Sequence, residues 1–149
     1  AMYHGHHYGT SWEALEGPLA QGRDVLLEIE MQGARQVRAR RPDARLIFLL
    51  PPSLEVLERR LRSRQTESEQ DVAGRLTLAR REIAEADGCF DYAVVNEDVE
   101  RTVASLIAIV AAERSGAVAA VRATHGVAPV VSRLAAVLPI AQAAGARLR

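Results

Sequence analysis

The chain has 149 residues, 48% of them hydrophobic, which is enough for one buried core and too few for two ordinary domains. Nineteen basic residues, every one an arginine, balance nineteen acidic ones, so no net field draws in nucleic acid or an anionic membrane surface. Cys89 is the single cysteine and cannot form an internal disulfide, and no signal peptide or bilayer-length apolar run is legible, so a cytoplasmic protein is expected.

Thr10 and Glu13 have capping-box spacing, and Trp12, Leu15 and Leu19 follow on one helical face until Gly22, with Pro18 expected to kink or shorten the helix. Residues 24–30 read as an apolar strand, 32–41 as a helix ending before Pro42, and 46–50 as a second buried strand closed by Pro51-Pro52. Ser53 is placed to cap a helix that carries Leu54, Leu57 and Leu61 inward, with Arg59, Arg60, Arg62 and Arg64 along or just beyond its last turn. Residues 63–71 are almost wholly polar and read as a mobile excursion before a helix of Val72, Leu76, Ala79 and Ile83. A strand at 92–95 then runs into Asn96-Glu97-Asp98, where Asp98 caps a helix bearing Val99, Val103, Leu106 and Val110. Strands alternating with helices predict an α/β fold: a parallel sheet with helices on both faces. From about Gly116 the chain becomes a mixture of Ala, Val and Arg without strand signal, expected to form one or two helices around Pro129 and Pro139 or a poorly ordered tail.

Chemistry concentrates at strand ends, where parallel α/β sheets bind ligands. Glu28 and Glu30 are two residues apart, so on an extended segment both carboxylates point to one side, which is not a core pattern. The arginines from Arg59 to Arg64 read, on their own, as a solvated helix face partnered by Glu55 and Glu58. His4, His6 and His7 have ligand-like spacing but sit in a loop with no carboxylate or cysteine assigned to it, so no metal site is assigned there. His125 is isolated, and Cys89 beside Phe90 reads as a small core hydrophobe.

Taken in order, these features resemble those of the guanylate kinases, among the P-loop nucleoside monophosphate kinases. Tyr8-Gly9-Thr10 is similar to the family's Tyr-Gly-Ser/Thr, the acidic strand ending in Gln32-Gly33-Ala34 to its Asp-x-Asp-x-Gln-Gly, and Pro51-Pro52-Ser53 follows in the expected place. Arg60, Arg64 and Arg75 match the spacing of the arginines flanking the family's lid, and Val94-Val95-Asn96-Glu97-Asp98 resembles its closing Val-Asn-Asp-Asp. The likeness covers roughly residues 1–114, leaving 115–149 as an extension. It implies that Tyr8 holds the GMP phosphate, Thr10 the guanine edge, and that Glu28 and Glu30 lie near the guanosine and the metal-bound phosphates. It further implies that Arg64 and Arg75 clamp phosphates when the lid closes, that Arg60 lies near the ATP phosphates and base, and that Asn96 borders the adenine, with ATP and Mg2+ as cofactors.

The departures are equally informative. These residues include neither a glycine-rich loop ending in Lys-Ser/Thr nor any lysine, and the serine, the arginine pair, the tyrosine and the guanine-reading glutamate that the family places after that loop are absent too. Glu30 replaces the usual aspartate and Gln65 a lid glycine. The expectation is the C-terminal two-thirds of a guanylate kinase, inactive by itself, with self-association through exposed strand edges. The alternatives are a non-catalytic guanylate-kinase-like module that grips a protein partner, and a related P-loop kinase acting on a sugar phosphate. In the absence of the phosphate-loop strand, residues 25–29 are expected to pair directly with 46–50 through a right-handed crossover, or else to leave room for a partner's strand.

Overall fold

The computed structural model describes residues 2–3, 6–7, 9, 11–63 and 68–135, and the chain divides into two compact units, residues 1–44 and 45–149. In the first unit, strands β1 (Met2–Tyr3) and β2 (His6–His7) pair antiparallel, Met2 opposite His7. Helix α1 (Trp12–Ala20) is capped by Ser11, whose Oγ accepts from the Ala14 amide at 3.3 Å; Thr10, the expected cap, lies outside the described residues. Pro18 falls in the last turn, and Gly22 follows at φ 70°, a left-handed conformation that glycine adopts without steric cost.

The strand expected at 24–30 is not formed among the described residues, and neither is its direct pairing with 46–50. The segment keeps the period of two, with Val25, Leu27 and Ile29 half-buried and Leu26, Glu28 and Glu30 exposed, but it has no ladder. Alternating apolar residues specify an extended conformation, whereas a strand also requires a neighbour for its amides and carbonyls. Helix α2 (Met31–Arg40) starts at once, with Glu30 as its N-cap residue, one position earlier than expected. Gly33 is required by a close approach: a Cβ there would lie 3.1 Å from Ile29 Cβ. Arg38 closes the helix by donating to the carbonyls of Pro42 and Ala44 at 3.1 and 3.0 Å.

The second unit is built on strands β3 (Ile47–Leu50) and β4 (Tyr92–Val95), paired in parallel with Ile47 opposite Tyr92. The crossover between them carries α3 (Leu54–Ser63), α4 (Glu69–Glu85) and a short 3-10 turn, Ala86–Gly88. Helix α5 (Val99–Ser115) follows β4, and Gly116 at φ 75° ends it before α6 (Val118–His125) and α7 (Val127–Leu134). One sheet face carries Leu50 and Ala93 against Leu54, Ile83, Ala86, Val127 and Val130; the other carries Tyr92 and Val94 against Ile109 and Val121. Helices therefore cover both faces of a parallel sheet, as the alternating elements predicted.

The buried side of α5 differs from the expected one. Thr102 and Ile109 face inward with Leu106, while Val99, Val103 and Val110 are exposed, Val99 to 74%. Apolar residues lie on several sides of the helix, so periodicity does not choose its face; the buried side is the one packed against Tyr92, Val94 and Val121. The residues after Gly116 contribute Val121, Val127 and Val130 to both clusters, and Gly126 bridges Tyr92. Pro129 sits in the first turn of α7, where its missing N–H costs nothing, and Pro139 lies outside the described residues. No described helix is long and apolar enough to cross a membrane.

Candidate functional site

The carboxyl ends of β3 and β4 present Pro51-Pro52-Ser53 and Asn96-Glu97-Asp98 side by side. Ser53 Oγ accepts from the Val56 amide at 3.2 Å and starts α3, whose apolar stripe, with Leu54 and Leu61 buried, fixes where its arginines point. Arg60 is half-buried and donates through Nη1 to the Asn96 carbonyl at 2.9 Å and through Nη2 to the Glu97 carbonyl at 3.1 Å. Carbonyls accept hydrogen bonds without neutralising the guanidinium, and among the described residues Arg60 forms no ion pair.

Asn96 is held from both sides. Its amide donates to the Leu50 carbonyl at 2.7 Å, continuing the ladder one step past β4, and Thr102 Oγ1 lies 3.5 Å from its Oδ1. Thr102 is buried and donates to the Asp98 carbonyl at 2.6 Å, while Asp98 caps α5 by accepting from the Arg101 amide at 2.8 Å. Sequence reasoning passed over Thr102, although a threonine four residues after an aspartate cap is the spacing for such a back-bond.

The other arginines differ in kind. Arg62 pairs with Glu58 at 2.9 Å and with Glu69, joining the end of α3 to the start of α4, and holds the Glu69 carboxyl below its ordinary value. Arg75 is exposed on α4, whose N-terminus carries a full capping box between Ser68 and Asp71. The structure thus brings Arg60 and Asn96 together, places Arg75 on an exposed helix face, and leaves Glu28 and Glu30 exposed in the first unit. Tyr8, Thr10 and Arg64 lie outside the described residues. Among the described residues no three His, Cys, Asp or Glu side chains converge as a metal site; the exposed carboxylates Glu28 and Glu30 are hard oxygen donors of the kind Mg2+ takes with retained waters.

Two further constellations were not legible beforehand. Buried Tyr92 donates to Glu113, which also pairs with Arg45 at 2.7 Å and lies 3.7 Å from Arg122. Burial first, and the Glu113 carboxylate second, push the Tyr92 hydroxyl up, while its hydrogen bond and that of Arg45 hold Glu113 down. A cavity of about 130 Å3 also opens beside β4, between α5 and the helices beyond Gly116.

The guanylate kinase family model matches residues 1–113. Guanylate kinase of Synechocystis is 48% identical over 113 residues, 76% of this chain and 59% of that protein. That of Thermosynechococcus vestitus is 53% identical over 106 residues, 71% of this chain and 55% of the relative, and that of Chromobacterium violaceum 52% over 114, 76% and 54%. The chain therefore spans between half and two-thirds of the length of these relatives.

Proposed function

The chain belongs to the guanylate kinase family, a family of phosphoryl transferases, and on that premise we propose that its residues carry the lid and part of the GMP site for moving a phosphoryl group from ATP to GMP. The observation that supports this most is Arg60, forked onto the neutral Asn96 and Glu97 carbonyls at the carboxyl ends of β3 and β4. Phosphoryl transfer needs little covalent help, so positioned cations supply much of the catalysis. In this reading Arg60 faces the ATP phosphates and base, Asn96 borders the adenine, and Arg64 and Arg75 clamp the transferring phosphate. Tyr8 and Thr10 hold the GMP phosphate and guanine. Glu28 and Glu30 serve the guanosine side and supply the oxygens for Mg2+, which when bound neutralises phosphate charge.

The 149 residues contain no lysine and no glycine-rich phosphate loop, so by themselves they do not turn over. A coupled assay of ATP-dependent GMP phosphorylation tests this: turnover by these residues alone rejects it. Joined to the phosphate-loop region of the Chromobacterium violaceum relative, they should gain activity, and Arg75→Ala should then lower kcat about 100-fold. An unchanged kcat rejects the clamp role.

A second reading, a non-catalytic module that grips a protein partner, is favoured by the exposed apolar row Val99, Val103, Ile107 and Val110 on α5. It predicts that the joined protein stays inactive despite binding GMP.

A further inference from the structure

The cavity beside β4 is lined by strand residues Ala93, Val94 and Val95, by Val130, and by polar residues from two parts of the chain. Arg101 and Ser105 come from α5, inside the family match; His125 and Arg133 come from α6 and α7, beyond residue 113 where that match ends. It lies next to β4 residues 93–95 and takes in Glu97, so it shares one residue with the loop that Arg60 holds.

We propose that this cavity binds a small oxyanion, a phosphate or a short carboxylate, held by Arg101, Ser105, His125 and Arg133. Three observations support it. First, the residues that line it include two arginines, a histidine and a serine beside one acidic residue, Glu97. Second, each arginine makes a contact within the fold, Arg101 with its side chain 81% exposed. Arg133 Nη2 donates to the Thr124 carbonyl at 2.8 Å, and Arg101 Nε lies 3.4 Å from Asp98 Oδ2, which offsets part of its charge but leaves its other N–H groups available. Third, His125 is half-buried with no hydrogen-bond partner among the described residues, and burial together with the facing Arg133 pushes its imidazole down. An anion seated between the two would accept from both and relieve that repulsion, since even a neutral imidazole keeps one N–H to donate.

Size sets the class of ligand. A volume of about 130 Å3 leaves room for an anion of four or five heavy atoms. Part of its polar wall, His125 and Arg133, comes from the helices that follow the family's own region.

The test is a titration of the 15N-labelled full chain with inorganic phosphate, and separately with acetate, at ionic strength held constant with chloride. Saturable shifts at the Ser105 and His125 amides and the Arg101 and Arg133 Nε–H groups are expected, with an apparent Kd of about 1 mM. Acetate saturating the same signals assigns a carboxylate ligand, phosphate alone a phosphate ligand. Arg133→Gln, on the exposed side of α7, and His125→Gln should each weaken binding about tenfold, while Arg75→Ala should leave it unchanged. Saturation abolished by Arg75→Ala but not by Arg133→Gln places the anion at the phosphate clamp and overturns the proposal. So do shifts that grow linearly without saturating, or no shift with either anion.

Discussion

Tyr92 Oη donates a 2.5 Å hydrogen bond to Glu113 Oε1, tying the first residue of β4 to the last turns of α5 from a fully buried ring. Arg45, just before β3, and Arg122, on α6, converge on the same carboxylate, so one acid links a strand entrance, two helices and the sheet. Tyr92→Phe keeps the ring and removes this bond to a charged acceptor. It should cost roughly 1.5–3 kcal/mol in a urea melt, and a loss below 0.5 kcal/mol would show that Arg45 and Arg122 satisfy Glu113 unaided.

The same pair fixes two limbs of a stability profile. Glu113 is held below the ordinary carboxylate value of 4.5, so the unfolded chain binds more protons below that pH; its contribution is present above it and is lost as pH falls. Tyr92 is raised above 10.0, so its contribution is present below that pH and is lost as the medium becomes more alkaline. Tyr92→Phe should flatten both limbs relative to the parent chain. Parallel profiles for the two proteins would mean that other groups set them.

Much of this architecture was legible in the residues. Strands around Phe48 and Ala93, the Ser53 and Asp98 caps and the inward Leu54, Leu61, Val72 and Ile83 all follow from period, cap chemistry and turn signals that act locally. The parts that were not legible depend on partners. Residues 24–30 carry the strand pattern and lack the ladder; α5 is apolar on too many sides for its pattern to select one. Thr102 and the Tyr92–Glu113 pair act through contacts that no spacing rule announces. Beyond Gly116 the apolar residues Val118, Val121, Val127 and Val130 do recur at helical intervals, and that was the available signal for helices packed into the core.

Gly126 is where the α6–α7 corner allows no side chain. A Cβ would lie 2.6 Å from the Arg122 carbonyl oxygen, a backbone atom that cannot swing away, and the residue also bridges Tyr92. Gly126→Ala should therefore destabilise by about 1–3 kcal/mol. Gly74, inside α4 with open space around it, should behave oppositely, Gly74→Ala adding roughly 0.5–1 kcal/mol. Equal effects of one sign would show that helix propensity rather than that contact governs the corner.

Unpaired amides should report the missing ladder directly. The amides of residues 25–29 donate to no described group, whereas those of β3 and β4 lie in a paired sheet in which Tyr92, Ala93 and Val94 are buried. Hydrogen exchange should be about 100-fold faster at Leu26 and Leu27 than at Val94. Comparable protection would mean that the segment acquires a strand partner in solution.

Arg60 should be resistant to conservative replacement. Its two Nη groups reach two different carbonyls, Asn96 at 2.9 Å and Glu97 at 3.1 Å, a fork that one lysine ammonium cannot span with the same planar geometry. Arg60→Met removes both bonds and leaves two carbonyl acceptors without a donor, so a loss of about 2–3 kcal/mol is expected. Arg60→Lys restores one bond and the charge, and should recover roughly half of that. The loop 96–98 would loosen in both variants, because Thr102 and the Asp98 cap hold only its far side. Urea midpoints ordered parent, lysine, methionine support the fork; a lysine variant as stable as the parent would reduce Arg60 to a point charge at the strand ends.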